Sequence, residues 1–124
     1  MLALRNPADA YRRVDFDARV AGSDAKSLVL ICYETLDIAL ASAIHAAARG
    51  DNPGKSAAIT RAISAITALQ LGLRGEDGVA GALRQFLEAG RRTLLDNAIA
   101  FDADRVAALR QDFADIARAM NGAV

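Results

Sequence analysis

The run GDNPGKS, residues 50–56, is the segment of this 124-residue chain that comes closest to a phosphate-binding loop. A loop of that kind places four residues between its two glycines and follows a β-strand, so that backbone N–H groups surround the phosphates. Here three residues separate Gly50 from Gly54, and the preceding segment has the composition of a helix. We therefore interpret the run as a turn between two helices, with Lys55 and Ser56 opening the second.

His45 is the only histidine, which excludes the usual two-histidine zinc site and the Glu-x-x-His di-iron bundle. Histidine phosphotransfer domains are also small helical bundles, and a phosphorylated His45 is one alternative function. Those domains place a lysine and a glycine three and four residues after the histidine, whereas Arg49 and Gly50 follow His45 at four and five. A histidine favoured near a helix C-terminus is the simpler interpretation.

The remaining reactive side chains do not form a catalytic pattern. Cys32 is the single cysteine, so it has no intrachain partner, and its apolar surroundings predict a buried small hydrophobe. No two carboxylates are isolated together in an apolar run, as acid–base catalysis would require. Glu88, followed by Arg91 and Arg92, is typical of a solvated helix face. The sequence therefore predicts no enzyme, no cofactor and no metal site.

Charge and composition restrict the partners. Fifteen basic residues balance fifteen acidic ones, and the two signs are interspersed. Because a protein that binds nucleic acid usually has a basic patch, we expect no nucleic-acid partner. The N-terminus lacks the apolar core of a signal peptide, and no uninterrupted apolar run approaches the ~20 residues that span a bilayer. The expected location is the cytoplasm, without membrane insertion.

Turn signals divide the chain into four long helices. Asp24 is a good N-cap for a first helix to about residue 48, where Gly50, Asn52 and Pro53 are expected to stop it. Further helices are expected over about 55–73, 79–100, and from Asp102 or Asp104 to about 122, with a shorter piece over about 7–20. Short loops between long helices force antiparallel neighbours. We predict an all-α fold, an antiparallel up-down four-helix bundle over 23–124 with a short extra N-terminal helical segment in 1–22.

The first helix has more apolar surface than a bundle helix needs for packing on one side. It carries two apolar stripes, and the third helix shows the same pattern more weakly, with Leu87, Leu95, Ala98 and Ile99 beside its main stripe. Such a helix either lies in the centre of the fold or is covered by another segment or another protein. Burial in the core, a homodimer interface and a bound partner are the three open interpretations. The two stripes of the first helix comprise Leu28, Ile31, Cys32, Thr35, Ile38 and Ala39, and Val29, Tyr33, Leu36, Leu40 and Ile44.

The order of these features resembles the FliS family of flagellin export chaperones. Its members have an N-terminal tyrosine, a first helix with a Leu-Tyr-Asp-Gly-like stretch, an alanine- and isoleucine-rich second helix, a glycine-containing turn and a Leu-x-x-Leu-Tyr third helix. Asp24-Ala25 stands where Ser-Pro is usual, and Phe86-Leu87 replaces Leu-Tyr. The matching stretches are AYRR with Tyr11, LVLICYETL at 28–36, ITRAISAITALQLGL at 59–73 and GEDGVAGALRQFLEAGRRTLLDNA at 75–98.

The resemblance implies binding of the disordered C-terminal segment of flagellin, which prevents premature polymerisation and aids type III flagellar export. It also implies a second partner in the flagellar export gate. An amphipathic segment would lie in an apolar groove, and the N-terminal segment would cover that groove in the absence of the client, with Tyr11 as a lid residue. The partner-binding residues that we predict are Tyr11, Leu28, Tyr33, Leu36, Leu40, Ile59, Ile63, Leu83 and Phe86.

Overall fold

The computed structural model describes residues 25–73 and 78–122, with side chains from Val29 to Ala119. Four α-helices account for most of these residues, which confirms the all-α prediction. The predicted N-terminal helical piece, the 1–22 segment and Tyr11 lie outside the described residues. The helices are α1 (Ala25–Ala48), α2 (Asn52–Gly72), α3 (Gly78–Ile99) and α4 (Ala103–Gly122).

The helices form a ring in which each contacts its neighbours in the sequence and α1 also contacts α4. Tyr33 of α1 lies beside Phe113 of α4, and Asp37, one turn later in α1, bonds to Arg110, about one turn earlier in α4. The two helices therefore run in opposite directions, as short connections between consecutive helices also require. This confirms the predicted antiparallel four-helix bundle.

The turn between α1 and α2 accounts for both glycines of the GDNPGKS run. Gly50 has a φ of 71°, in the left-handed region where glycine ends helices at little cost. Asp51 caps α2 by accepting a hydrogen bond from the Gly54 backbone N–H at 3.0 Å. A side chain on Gly54 would collide with the Asp51 carboxylate. The run is thus a helix-helix turn, as predicted.

The predicted start of α2 at residue 55 is wrong by three residues. Asn52 and Pro53 were expected to stop α1, but they form the first turn of α2 behind the Asp51 cap. Proline is well suited to this position, because the first backbone N–H groups of a helix have no partner within the helix.

Small residues bring α1 and α2 together, and this helix pair has the most extensive contact in the bundle. Alanines recur at steps of three and four on both helices and are almost fully buried. Their short side chains allow two helix axes to approach closely. Leucine and isoleucine then fill the centre. The buried alanines are Ala39, Ala43 and Ala46 in α1 and Ala58, Ala62 and Ala65 in α2.

A buried asparagine shapes the corner between α3 and α4. The Asn97 side chain donates to the Thr93 carbonyl at 2.8 Å and accepts from the Asp102 backbone N–H at 2.6 Å. Asp102 in turn accepts from the backbone N–H groups of Asp104 and Arg105, so Asp102 is the N-cap of α4. From the sequence, either Asp102 or Asp104 could be the N-cap of α4, and the burial of Asn97 was not predicted.

One segment of α1, Val29–Ala48, is long and apolar enough to cross a membrane by length and composition. This differs from the sequence-based prediction, which considered only uninterrupted apolar runs. Glu34 and Asp37 interrupt the segment, and Asp37 forms an ion pair with Arg110. The core helix of a water-soluble bundle passes the same test, and α1 packs between α2 and α4.

Candidate functional site

The predicted partner-binding residues divide into buried and partly exposed groups. Tyr33, Leu36, Leu40 and Ile59 lie in the core with at most 5% of their surface exposed. In this structure these four offer almost no surface to a partner. The three others whose side chains are described are only partly buried and pack against the core from outside: Ile63, Leu83 and Phe86. Tyr11 and the Leu28 side chain lie outside the described part of the chain.

Most of the apolar surplus of α1 is internal. Because α1 packs against α2 on one side and α4 on another, both of its stripes find cover, and core burial is the interpretation that fits most of this helix. Cys32 is fully buried, as predicted, and burial raises the pKa of its thiol. Ile38 is the exception on α1, with 57% of its surface exposed.

The uncovered apolar surface is concentrated on α3. Among the described residues, five large apolar side chains are exposed, and three of them belong to α3: Val79, Leu95 (42%) and Ile99 (92%). The contact between α3 and α4 is the least extensive of the four neighbouring pairs, so this helix is less enclosed than α1. We define the α3 surface as Leu83, Phe86, Leu95 and Ile99 of α3 together with Ile63 of α2.

Two polar contacts set the register between α2 and α3. Arg84 Nη2 donates to the Leu73 carbonyl, and Gln70 Nε2 donates to Glu88 Oε1, both at 3.4 Å. Moving seven residues back along α2 and seven forward along α3 from the Gln70–Glu88 contact reaches Ile63 and Leu95. Seven residues make about two turns, so both stay on the same faces. Leu95 therefore lies at the level of Ile63.

The α2 face beside the α3 surface is uncharged. Four hydroxyl side chains point to solvent along it, and the Thr67 hydroxyl donates to the Ile63 carbonyl at 3.0 Å. A neutral face can be covered without removing water from a charge, which is costly. The exposed hydroxyl residues are Ser56, Thr60, Ser64 and Thr67.

Three aromatic rings connect the other edge of the α3 surface to the interior. The Phe86 ring meets the Phe113 ring edge-on at 4.8 Å between centroids, and the Phe113 ring lies 5.9 Å from that of Tyr33. Gly90 makes room for Phe113, because a Cβ at this position would come within 3.2 Å of the Phe113 Cζ atom. Phe113 thus fills a notch in α3 and lies between the partly exposed Phe86 and the buried Tyr33.

The Tyr33 hydroxyl is buried and has no hydrogen-bond partner in the described part of the chain. Burial raises the pKa of Tyr33 to about 12. The hydroxyl therefore keeps its proton at physiological pH and can donate a hydrogen bond.

A second groove, between α1 and α4, has a different chemical character. Its volume is about 390 Å³, and Arg110 and Arg118 lie along it opposite Asp37 and Ile44. Arg110 donates to both oxygens of Asp37, at 2.8 and 3.3 Å, and this bond raises the pKa of Arg110. Because Arg110 lies across the helix interface from Asp37, this ion pair joins α1 to α4.

The residues that could have supported other chemistry are separated from one another. His45 is exposed in the last turn of α1, at the helix C-terminus that the sequence indicated. Glu88 forms an ion pair with Arg91 at 3.7 Å, as its spacing suggested. Within residues 25–73 and 78–122, no three His, Cys, Asp or Glu side chains are grouped so that they could hold a metal ion.

Comparison with known proteins adds one finding. The sequence model of the family described as flagellar protein FliS matches residues 7–123, nearly the whole chain. No curated protein and no solved structure matched the chain. The chain therefore belongs to the FliS family of flagellar proteins, which are export chaperones for flagellin.

Proposed function

We propose that this protein is a cytoplasmic, non-enzymatic export chaperone that binds the disordered C-terminal segment of flagellin on the α3 surface. By covering that segment the protein prevents premature polymerisation, and it then delivers the subunit to the flagellar export gate, its second partner. Family membership supports the general activity, and the α3 surface supports the place of binding.

The observation that carries this proposal is the exposure of Leu95 and Ile99 on the helix that has the least extensive contact with its neighbours. Leu95 and Ile99 are one turn apart on α3, so their exposed side chains form one apolar patch, and such a patch marks an interaction site more often than a single exposed side chain does. An amphipathic client segment would lay its apolar side chains along this helix. Ile63 lies at the level of Leu95 on the neighbouring α2, and Leu83 and Phe86 lie on the other side of α3, where the Phe86 ring meets Phe113 of α4.

The surroundings of the α3 surface are those of an interface. Arg92 and Asp96 are exposed on α3 beside Leu95 and Ile99, which gives an apolar centre with charged residues at its border. The helix has 22 residues, a length of about 33 Å. Leu83 and Ile99 are sixteen residues apart, so the α3 surface extends over about 24 Å of this length.

Titration calorimetry tests the function directly. The full chain is titrated with the C-terminal segment of flagellin, and the N-terminal segment of the same flagellin serves as the control ligand. We expect saturable binding of one client per chain at micromolar concentration or below, and none with the control. Absence of saturable binding to the C-terminal segment would contradict the proposed function.

A further inference from the structure

The buried Tyr33 hydroxyl has no role in the fold as described. Buried polar groups in native proteins are nearly always hydrogen-bonded, and each exception calls for an explanation. Tyr33 has 5% of its surface exposed, and its hydroxyl lacks a partner among the described residues. Phenylalanine would fill the same space and make the same ring contact with Phe113 without this cost. The fold of the free protein therefore does not account for the hydroxyl.

The three aromatic rings lead from the client-binding region to this hydroxyl. Phe86 belongs to the α3 surface, and the Phe113 ring contacts both the Phe86 ring and the Tyr33 ring. Phe113 is held in the Gly90 notch, at the junction of α3 and α4. Because α3 and α4 have the least extensive contact in the bundle, this junction is where we expect the client to enter.

We propose that the Tyr33 hydroxyl binds the main chain of the client. When an apolar client side chain enters beside Phe86 and displaces the Phe113 ring, the hydroxyl donates a hydrogen bond to a client backbone carbonyl. This inference rests on the proposed function and adds a residue that recognises the client backbone instead of its side chains. A carbonyl inside a helix already has a partner, so the client is extended at this point or ends a helix there.

The test compares Tyr33→Phe with the unmodified protein in two measurements, thermal unfolding of the free chain and titration with the flagellin C-terminal segment. We expect the variant to unfold at the same or a higher temperature, because an unpartnered buried hydroxyl is removed. We expect its affinity for the client to fall about fivefold to tenfold, the usual effect of one lost hydrogen bond. Opposite signs in the two measurements distinguish a client contact from a structural one.

Ser42→Ala is the matched control, since it also removes one hydroxyl and lies on α1, away from the α3 surface. Its client affinity should remain that of the unmodified protein. If the unmodified protein binds the client and Tyr33→Phe binds it equally well, the inference is wrong while the proposed function stands. The inference is also wrong if Tyr33→Phe is less stable than the unmodified protein and its loss of affinity is no larger than this destabilisation explains. If the unmodified protein fails to bind, the proposed function itself is lost.

Discussion

Replacement of both Leu95 and Ile99 by lysine is expected to weaken flagellin binding about a hundredfold while the bundle remains folded. Both side chains are exposed in the free protein, at 42% and 92%, so their loss removes little packing. Lysine is also compatible with the C-terminal part of a helix. On binding, each apolar side chain should contribute about 1 to 2 kcal/mol, so the pair accounts for roughly a hundredfold in affinity. Titration with the flagellin C-terminal segment measures the loss, and circular dichroism checks the fold.

Ile38→Lys is the control for this experiment. Ile38 is a large apolar residue with similar exposure, 57%, but it lies on α1. We expect this substitution to change client affinity by less than about twofold relative to the unmodified protein. Client affinity that is unchanged in the double variant, or a loss confined to Ile38→Lys, would show that the client does not use the α3 surface.

The second large effect is on stability. Leu36→Ala should lower the free energy of unfolding by about 2 to 5 kcal/mol, as removal of a fully buried leucine leaves a cavity. Leu36 has no exposed surface, although the sequence pattern favoured it as a partner contact. Urea denaturation of the free chain measures the difference. The exposed Ile38, replaced by alanine, should cost less than about 1 kcal/mol. Undiminished stability of Leu36→Ala together with weaker client binding would restore Leu36 as a contact residue.

The helices could be predicted because their apolar residues recur at steps of three and four. Val106, Leu109 and Phe113 of α4 are buried as that spacing indicates. The start of α2 could not be predicted as well, because Asn52 and Pro53 are typical both of the end of one helix and of the first turn of the next. Asp51 decides between them through its bond to Gly54, and this bond depends on the geometry of the turn.

Core and contact residues could not be separated from periodicity, because periodicity identifies a face but not the number of helices that cover it. Tyr33 and Leu40 are buried because α1 packs against both α2 and α4. Leu95 and Ile99 were assigned to a weaker second stripe, yet they remain exposed because α3 has less cover. The extent to which neighbouring helices enclose each face depends on the packing of the whole bundle.

The alanine contact between α1 and α2 gave no distinct signal in the sequence. Alanine favours a helix in any environment, so its presence at Ala58, Ala62 and Ala65 did not identify a face. The isoleucines give α2 a more visible apolar pattern, and Ile63 lies four residues after Ile59 and three before Ile66. In the structure Ile59 and Ile66 are buried while Ile63 is only partly covered.

The most direct measurement of the central claim is a methyl NMR map of the full chain with and without the flagellin C-terminal segment. The α3 surface predicts that the methyl signals of Leu83, Leu95, Ile99 and Ile63 change on binding, whereas that of Ile38 stays in place. Changes at Ile38 without changes at Leu95 and Ile99, or a bound complex with no change on α3, would contradict the claim that this helix receives the client.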